Sequence, residues 1–207
     1  DLNNRVFLFF AVLGTADVVA EFFTNYYITS YNSDMENAAV IVTTIFYLLQ
    51  ALLPVTFIFY IQTLHEQKII SAKKMFISGV PTLVLISVIL TNPFTEKLFS
   101  FDVTAGYVKG PWYLLMYVSA LGHFAVALLL ILLWRKKLGP QKEKILLEIF
   151  VISGVGVVLQ MFCQSLLMTG FGMSLGILAL FITINNPNAN LDSLTGLYNH
   201  LYLTRKM

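Results

Sequence analysis

Asp17 and Glu21 stand four residues apart inside an apolar run that spans 6–29. A carboxyl group at the centre of a bilayer costs about 2.5 to 3.5 kcal/mol on insertion scales, so each of the two demands a physical reason. Their spacing puts both on one face of a helix, and no Lys or Arg lies at their depth to compensate them. At least one must carry a proton or be served by a polar partner, because two close carboxylates disfavour double ionisation. Candidate partners stand in other apolar runs at comparable or more outward depth: Gln50, His123, Gln160 and Gln164, the last two again four apart, with Trp112 and Tyr113 above them at the outer mouth. Together these residues could line a polar cavity that binds a small molecule from outside. Two carboxylates favour a cationic or hydrogen-bond-donating ligand, and if both are neutral a lipid-like ligand is allowed.

The competing reading is structural. Polar side chains buried between membrane helices hydrogen-bond to one another for about 0.6 to 2 kcal/mol each. For Gln50, Gln160 and Gln164 that reading is preferred, and His123 divides evenly between a site residue and a satisfied core histidine. For the carboxyl pair a functional role is preferred, since a packing device would seldom use two uncompensated acids. Catalytic chemistry finds no foothold. There is no Ser/His/Asp arrangement, no HExxH and no phosphate-cradling glycine loop, and Asp17 is the only aspartate inside an apolar run, which excludes a paired-aspartate protease. With one cysteine, Cys163, and no cluster of metal-ligand spacing, we expect neither metal nor cofactor.

The elements that must position these residues are membrane helices. Of the 207 residues 57% are hydrophobic and 12% charged, against about 25% charged in ordinary globular domains. The net charge of +2 is too mild to argue for nucleic acid. About 20 apolar residues are needed to cross the hydrocarbon core, and by that measure six segments are expected, at 6–29, 38–64, 75–92, 111–134, 145–167 and 171–184. The expected fold is all-α, a polytopic transmembrane bundle over 1–186, with membrane lipid as its surroundings. The sixth segment is short enough to be re-entrant. Positive residues are retained on the cytoplasmic side, and a cytoplasmic C-terminus puts eleven of the thirteen basic residues inside, leaving only Lys97 and Lys109 outside. That count favours six crossings.

Other features carry less. The long outer loop, from Asn92 to Trp112, is rich in aromatics and is expected either to cover the bundle mouth as a lid or to serve as a connector with interfacial rings. Pro54 is expected to kink the second segment. Gly172 and Gly176 form a GxxxG that would suit a homodimer or close packing within one bundle. Glu148 snorkels towards water. The chain opens on Asp1 with no signal pattern, so we expect the natural start to lie upstream.

After residue 184 the composition changes to the turn-forming NNPNAN and then to LDSLTGLYNH at 191–200. Asp192, Leu194, Thr195, Gly196, Leu197, Tyr198 and Asn199 resemble the D-x-L-T-G-L-Y-N-R opening of GGDEF domains, the diguanylate cyclases that condense two GTP into cyclic di-GMP. His200 stands where that pattern has Arg, which puts the activity of the output domain in question. The rest of the chain resembles the membrane sensor region called the histidine kinase N-terminal 7TM type, on the TADVVAE at 15–21, the TNPF at 91–94 and the GYVKGPWY at 106–113. The resemblance implies a bacterial inner-membrane receptor, a seventh helix upstream, and an output at 187–207 that is only the start of a GGDEF domain. The stretch given holds none of that domain's catalytic residues, so no enzymatic activity is expected of it. The rival expectations are a small proton-coupled transporter relaying through Asp17 and Glu21, and a membrane anchor and dimerisation module without a ligand.

Overall fold

A computed structural model describes residues 2–66, 72–162 and 168–182. The expected all-α class is what it shows, with six α-helices: α1 (Leu2–Thr29), α2 (Glu36–Glu66), α3 (Ala72–Thr95), α4 (Leu114–Leu138), α5 (Pro140–Phe162) and α6 (Met168–Leu180). Four of them, α1, α2, α4 and α5, are long and apolar enough to cross a membrane, while the described apolar part of α3 covers Gly79–Thr95. Large side chains such as Leu8, Phe22, Leu83, Leu133 and Phe162 face outwards. Helices apolar all round are those that meet lipid rather than water.

The helices run beyond their apolar stretches by up to a turn or more. Polar residues at helix ends reach the interface without leaving the helix. The largest shift is at α5, expected from 145 but starting at Pro140. Gly139, with φ of 79° and ψ of 158°, ends α4 at a positive φ that suits glycine, and Pro140 takes the first helical position, where a missing N–H costs nothing. Arg135, Lys136 and Lys137 in the last turn of α4 complement its carbonyl end.

The helices form a ring in the order α1, α2, α4, α5, α6, closed by the contact of α6 with α1, and α3 packs outside against α2 and α4. One apolar core, including Phe10, Phe57, Tyr60, Ile131, Leu146 and Leu180, fills the end where α1 begins. A second, including Ala39, Leu85, Ile89, Leu98, Phe99 and Phe101, fills the other end.

The second core exists because the long loop folds back onto the ends of α2 and α3. It folds as a hairpin, β1 (Phe99–Asp102) against β2 (Gly106–Lys109), antiparallel with Phe101 opposite Tyr107. No strand was expected there. The alternation Phe99-Ser100-Phe101 carries the period-2 signal, but four residues in an aromatic loop read equally well as interfacial anchors. Asn92, buried in the last turns of α3, holds the hairpin: its Nδ2 donates to the Phe99 carbonyl (3.0 Å) and its Oδ1 accepts from the N–H groups of Leu98 (2.7 Å) and Phe99 (3.3 Å). At the other foot the Gly110 N–H donates to the Leu98 carbonyl (2.9 Å) and the Trp112 N–H to that of Lys97 (2.8 Å). A Cβ on Gly110 would collide with the Lys97 carbonyl, backbone against backbone, so the position requires glycine.

Candidate functional site

Glu21 is 3% exposed in the middle of the ring, and its carboxylate has donors on two other helices. Gln160 Nε2 of α5 donates to Oε1 at 2.9 Å, and the backbone N–H of Gly170 donates to Oε2 at 2.8 Å. Gly170 lies in the first turn of α6, where N–H groups have no partner within the helix and the positive end of the helix dipole favours an anion. The reason for an acid at this depth is therefore local: Glu21 caps the last helix from across the bundle. A Cβ at position 170 would overlap Glu21 Oε2 and come within 3.2 Å of Val18 Cγ2. Glycine is what lets the carboxylate reach the backbone.

Asp17, one turn earlier, is 1% exposed, and its Oδ1 has no hydrogen-bond partner among the described residues. Sequence spacing placed the two acids together, and the structure gives them different surroundings. Asp17 faces a small void with Gln50, Ser153 and Met173. Glu21 lines a larger, narrow cavity, with about 70 Å³ open to the centre of a water molecule against about 40 Å³ in the void beside Asp17. Gln50 and Pro54 border both spaces. Pro54 has no N–H to offer the Gln50 carbonyl one turn before it, which loosens α2 where the two spaces meet.

The larger cavity is polar on its α1, α2 and α5 side, with Glu21, Thr24, Asn25, Gln50 and Gln160. Four rings complete the lining, Phe46 and Tyr47 of α2, Tyr107 of the hairpin and Tyr117 of α4. Thr24 is 3% exposed and its hydroxyl has no hydrogen-bond partner among the described residues. Tyr107 comes from β2, so the hairpin forms part of the wall, and its hydroxyl shares a 2.7 Å hydrogen bond with that of Tyr47. Burial pushes the Tyr107 phenol up to about 12.

Of the residues singled out in the sequence, Glu21, Gln50 and Gln160 meet in this cavity, with Asp17 in the void beside it. Three others are placed elsewhere. His123 is buried between α3 and α4: its Nδ1–H donates to the Ser119 carbonyl (2.7 Å), since a carbonyl only accepts, and its Nε2 pairs with the Thr82 hydroxyl (3.0 Å). It lines a separate apolar void with Phe10 and Phe57. Trp112 is half exposed beneath the Lys97 ammonium, 4.2 Å from its ring, and Tyr113 lies under that of Lys109 at 5.0 Å. Both pairs fasten the hairpin foot. Gln164 lies outside the described residues, as does the 191–200 stretch.

The glycine pair on α6 faces inwards. A Cβ on Gly176 would meet Ile149 at 3.1 Å, and one on Gly172 the Ile152 carbonyl at 3.5 Å, so both sit against α5 of the same chain. A homodimer through α6 would use another face. Residues that sequence reasoning missed are Thr24, Tyr47, Tyr107, Tyr117 and Gly170. Tyrosines inside apolar runs were the available signal for Tyr47 and Tyr117, because a buried hydroxyl needs a partner. Among the described residues no group of His, Cys, Asp and Glu could hold a metal. Comparison of the chain with protein-family models, with characterised proteins and with solved structures gave no match.

Proposed function

We propose that this chain is the membrane input region of a receptor, binding a small molecule in the cavity beneath the hairpin and passing the event to the last helix. One observation carries the reading: Glu21 is both a wall of the cavity and the partner of the first turn of α6. A ligand that contacts the carboxylate competes with or reinforces the bond to Gly170. It thereby favours one position of α6 over another, which is what a ligand must do to shift an equilibrium. Phe181 stacks on Phe7 at 6.2 Å, so α6 runs from the level of Glu21 back to the level where α1 begins. A shift at its first turn is delivered to the end opposite the hairpin.

The residues that follow α6 supply the output. The GGDEF-like opening at 191–200 comes directly after a polar linker, and the distribution of basic residues puts it in the cytoplasm and the hairpin outside. The receptor of this reading is bacterial, sits in the inner membrane, and controls cyclic di-GMP synthesis through a domain of which this chain holds the start. The transporter reading has less behind it, because the hairpin wall and the linkage to α6 serve no relay. The anchor reading leaves the Asp17 carboxyl and Thr24 hydroxyl without a purpose.

The test is a thermal-stability screen of the purified chain in detergent against metabolites, amines, peptides and lipids, beside the Asp17→Asn, Glu21→Gln double variant. A ligand that binds the folded state raises its stability. A compound that stabilises the parent by several degrees and spares the variant supports the receptor. A broad panel without such a compound would leave the anchor as the better account.

A further inference from the structure

We infer that the cavity takes a small organic cation, a protonated amine held by the Glu21 carboxylate against the rings of Phe46, Tyr47, Tyr107 and Tyr117. The inference rests on the receptor reading and adds the ligand's chemical class. Three features of the cavity point the same way. Its one ionisable carboxyl is Glu21, and among the described residues no Lys or Arg lines it, so an anion would enter against charge with no cationic side chain to receive it. Four rings share the lining with Glu21, and the negative faces of tyrosine and phenylalanine rings attract ammonium groups, most strongly when desolvated. The Thr24 hydroxyl, buried and without a hydrogen-bond partner among the described residues, gives the site an acceptor on the same helix one turn above Glu21.

The capping role of Glu21 does not exclude the ligand. An ionised carboxylate accepts hydrogen bonds at about four sites, so one group can serve Gln160, Gly170 and an ammonium together. A cation placed there compensates the carboxylate in a low dielectric, where charge pairing is strong. The same contact draws electron density from the oxygen that accepts the Gly170 N–H, which links recognition to the last helix.

Three probes of similar shape and different charge test this: phenethylammonium, 2-phenylethanol and phenylacetate, titrated calorimetrically at pH 7 into the purified chain in detergent. The expected result is that the cation binds at least about 10-fold more tightly than the alcohol and that the anion does not bind, with Glu21→Gln weakening the cation about 10-fold or more. Because Glu21 also holds α6, Tyr117→Leu serves as a second variant and should weaken the cation about 3- to 10-fold while leaving the alcohol nearly unchanged. Binding of the alcohol or the anion as tightly as the amine would overturn the cation assignment and leave a ligand-binding receptor standing. Amine affinity unchanged in both variants would do the same, by removing the amine from this cavity. Failure of all three probes would also overturn the assignment, and the broad stability screen then decides the receptor reading by itself.

Discussion

The bond between Glu21 and the first turn of α6 makes a prediction about sign, not only size. In an ordinary helix Gly→Ala is favourable by about 0.8 to 1.0 kcal/mol, because alanine restricts the unfolded chain. At position 170 the added methyl overlaps Glu21 Oε2, so the carboxylate must withdraw and the N–H it served is left buried without a partner. Overpacking costs about 1 to 3 kcal/mol, and the lost charge-assisted hydrogen bond about 1.5 to 3 kcal/mol more. Gly170→Ala should therefore destabilise the parent by a net of about 2 kcal/mol or more after the helix-propensity gain. In a Glu21→Ala background the obstacle is gone, and only Val18 Cγ2, at 3.2 Å, needs to give by a few tenths of an ångström. There the same substitution should be neutral or stabilising by up to about 1 kcal/mol. A thermal unfolding cycle of parent, two single variants and the double variant in one detergent measures the coupling, with roughly 2 to 4 °C expected per kcal/mol for a chain of this size. Additive shifts would refute the reasoning, since residues in direct contact must show an interaction energy.

Other predictions follow from the same geometry. Asn92→Ala leaves three hairpin backbone groups without their side-chain partner, so it should cost about 2 to 4 kcal/mol and open the hairpin to protease. Asn92→Asp, which keeps the two acceptor contacts but sets an oxygen against the Phe99 carbonyl, should also open the hairpin in the same digestion assay. Thr82→Val removes the His123 partner and should cost about 1 kcal/mol in thermal unfolding while leaving ligand affinity in the Glu21 cavity unchanged. At the hairpin tip the Thr104 hydroxyl, the Ala105 N–H and the Thr104 N–H hold the Asp102 carboxylate below its ordinary range. A depressed folded value means that the contribution is complete above the unfolded value of about 3.9 and is lost as pH falls through the folded one. Amide protection of Thr104 and Ala105 should therefore drop in acid, and Asp102→Asn should lack that acid-dependent step.

The helices were legible because bilayer thickness sets their length and composition marks them directly. Their ends were less so, since Pro140 to Lys144 is polar sequence that is nevertheless helical. The depth of Asp17, Glu21, Gln50 and Gln160 could be read from position along each apolar run, and three of those four line one cavity. What could not be read was the partner of Glu21, because a backbone N–H has no residue type. Only the glycine at 170 marks it, and nothing in the sequence ties that glycine to Glu21. His123 shows the converse limit. It shares a face of α4 with Met116 and Ala120 of the cavity wall but lies one turn deeper, beside an apolar void and bonded to Thr82, and position along an apolar run does not resolve one turn of depth. The hairpin was hidden because its rings, Phe99, Phe101 and Tyr107, are the same types that anchor a plain loop at the interface.

The most direct test of the central claim is whether the cavity opens to water on the hairpin side. Ala120 lines the cavity on α4, so Ala120→Cys in a Cys163→Ala background places one thiol there. In proteoliposomes of known orientation, a membrane-impermeant cationic methanethiosulfonate reagent should modify that thiol from the hairpin side only, and 2-aminoethyl methanethiosulfonate should outpace its sulfonated counterpart. No reaction from that side, with a thiol at exposed Val103 on the hairpin modified normally as the control, would contradict an aqueous binding cavity and with it the receptor account.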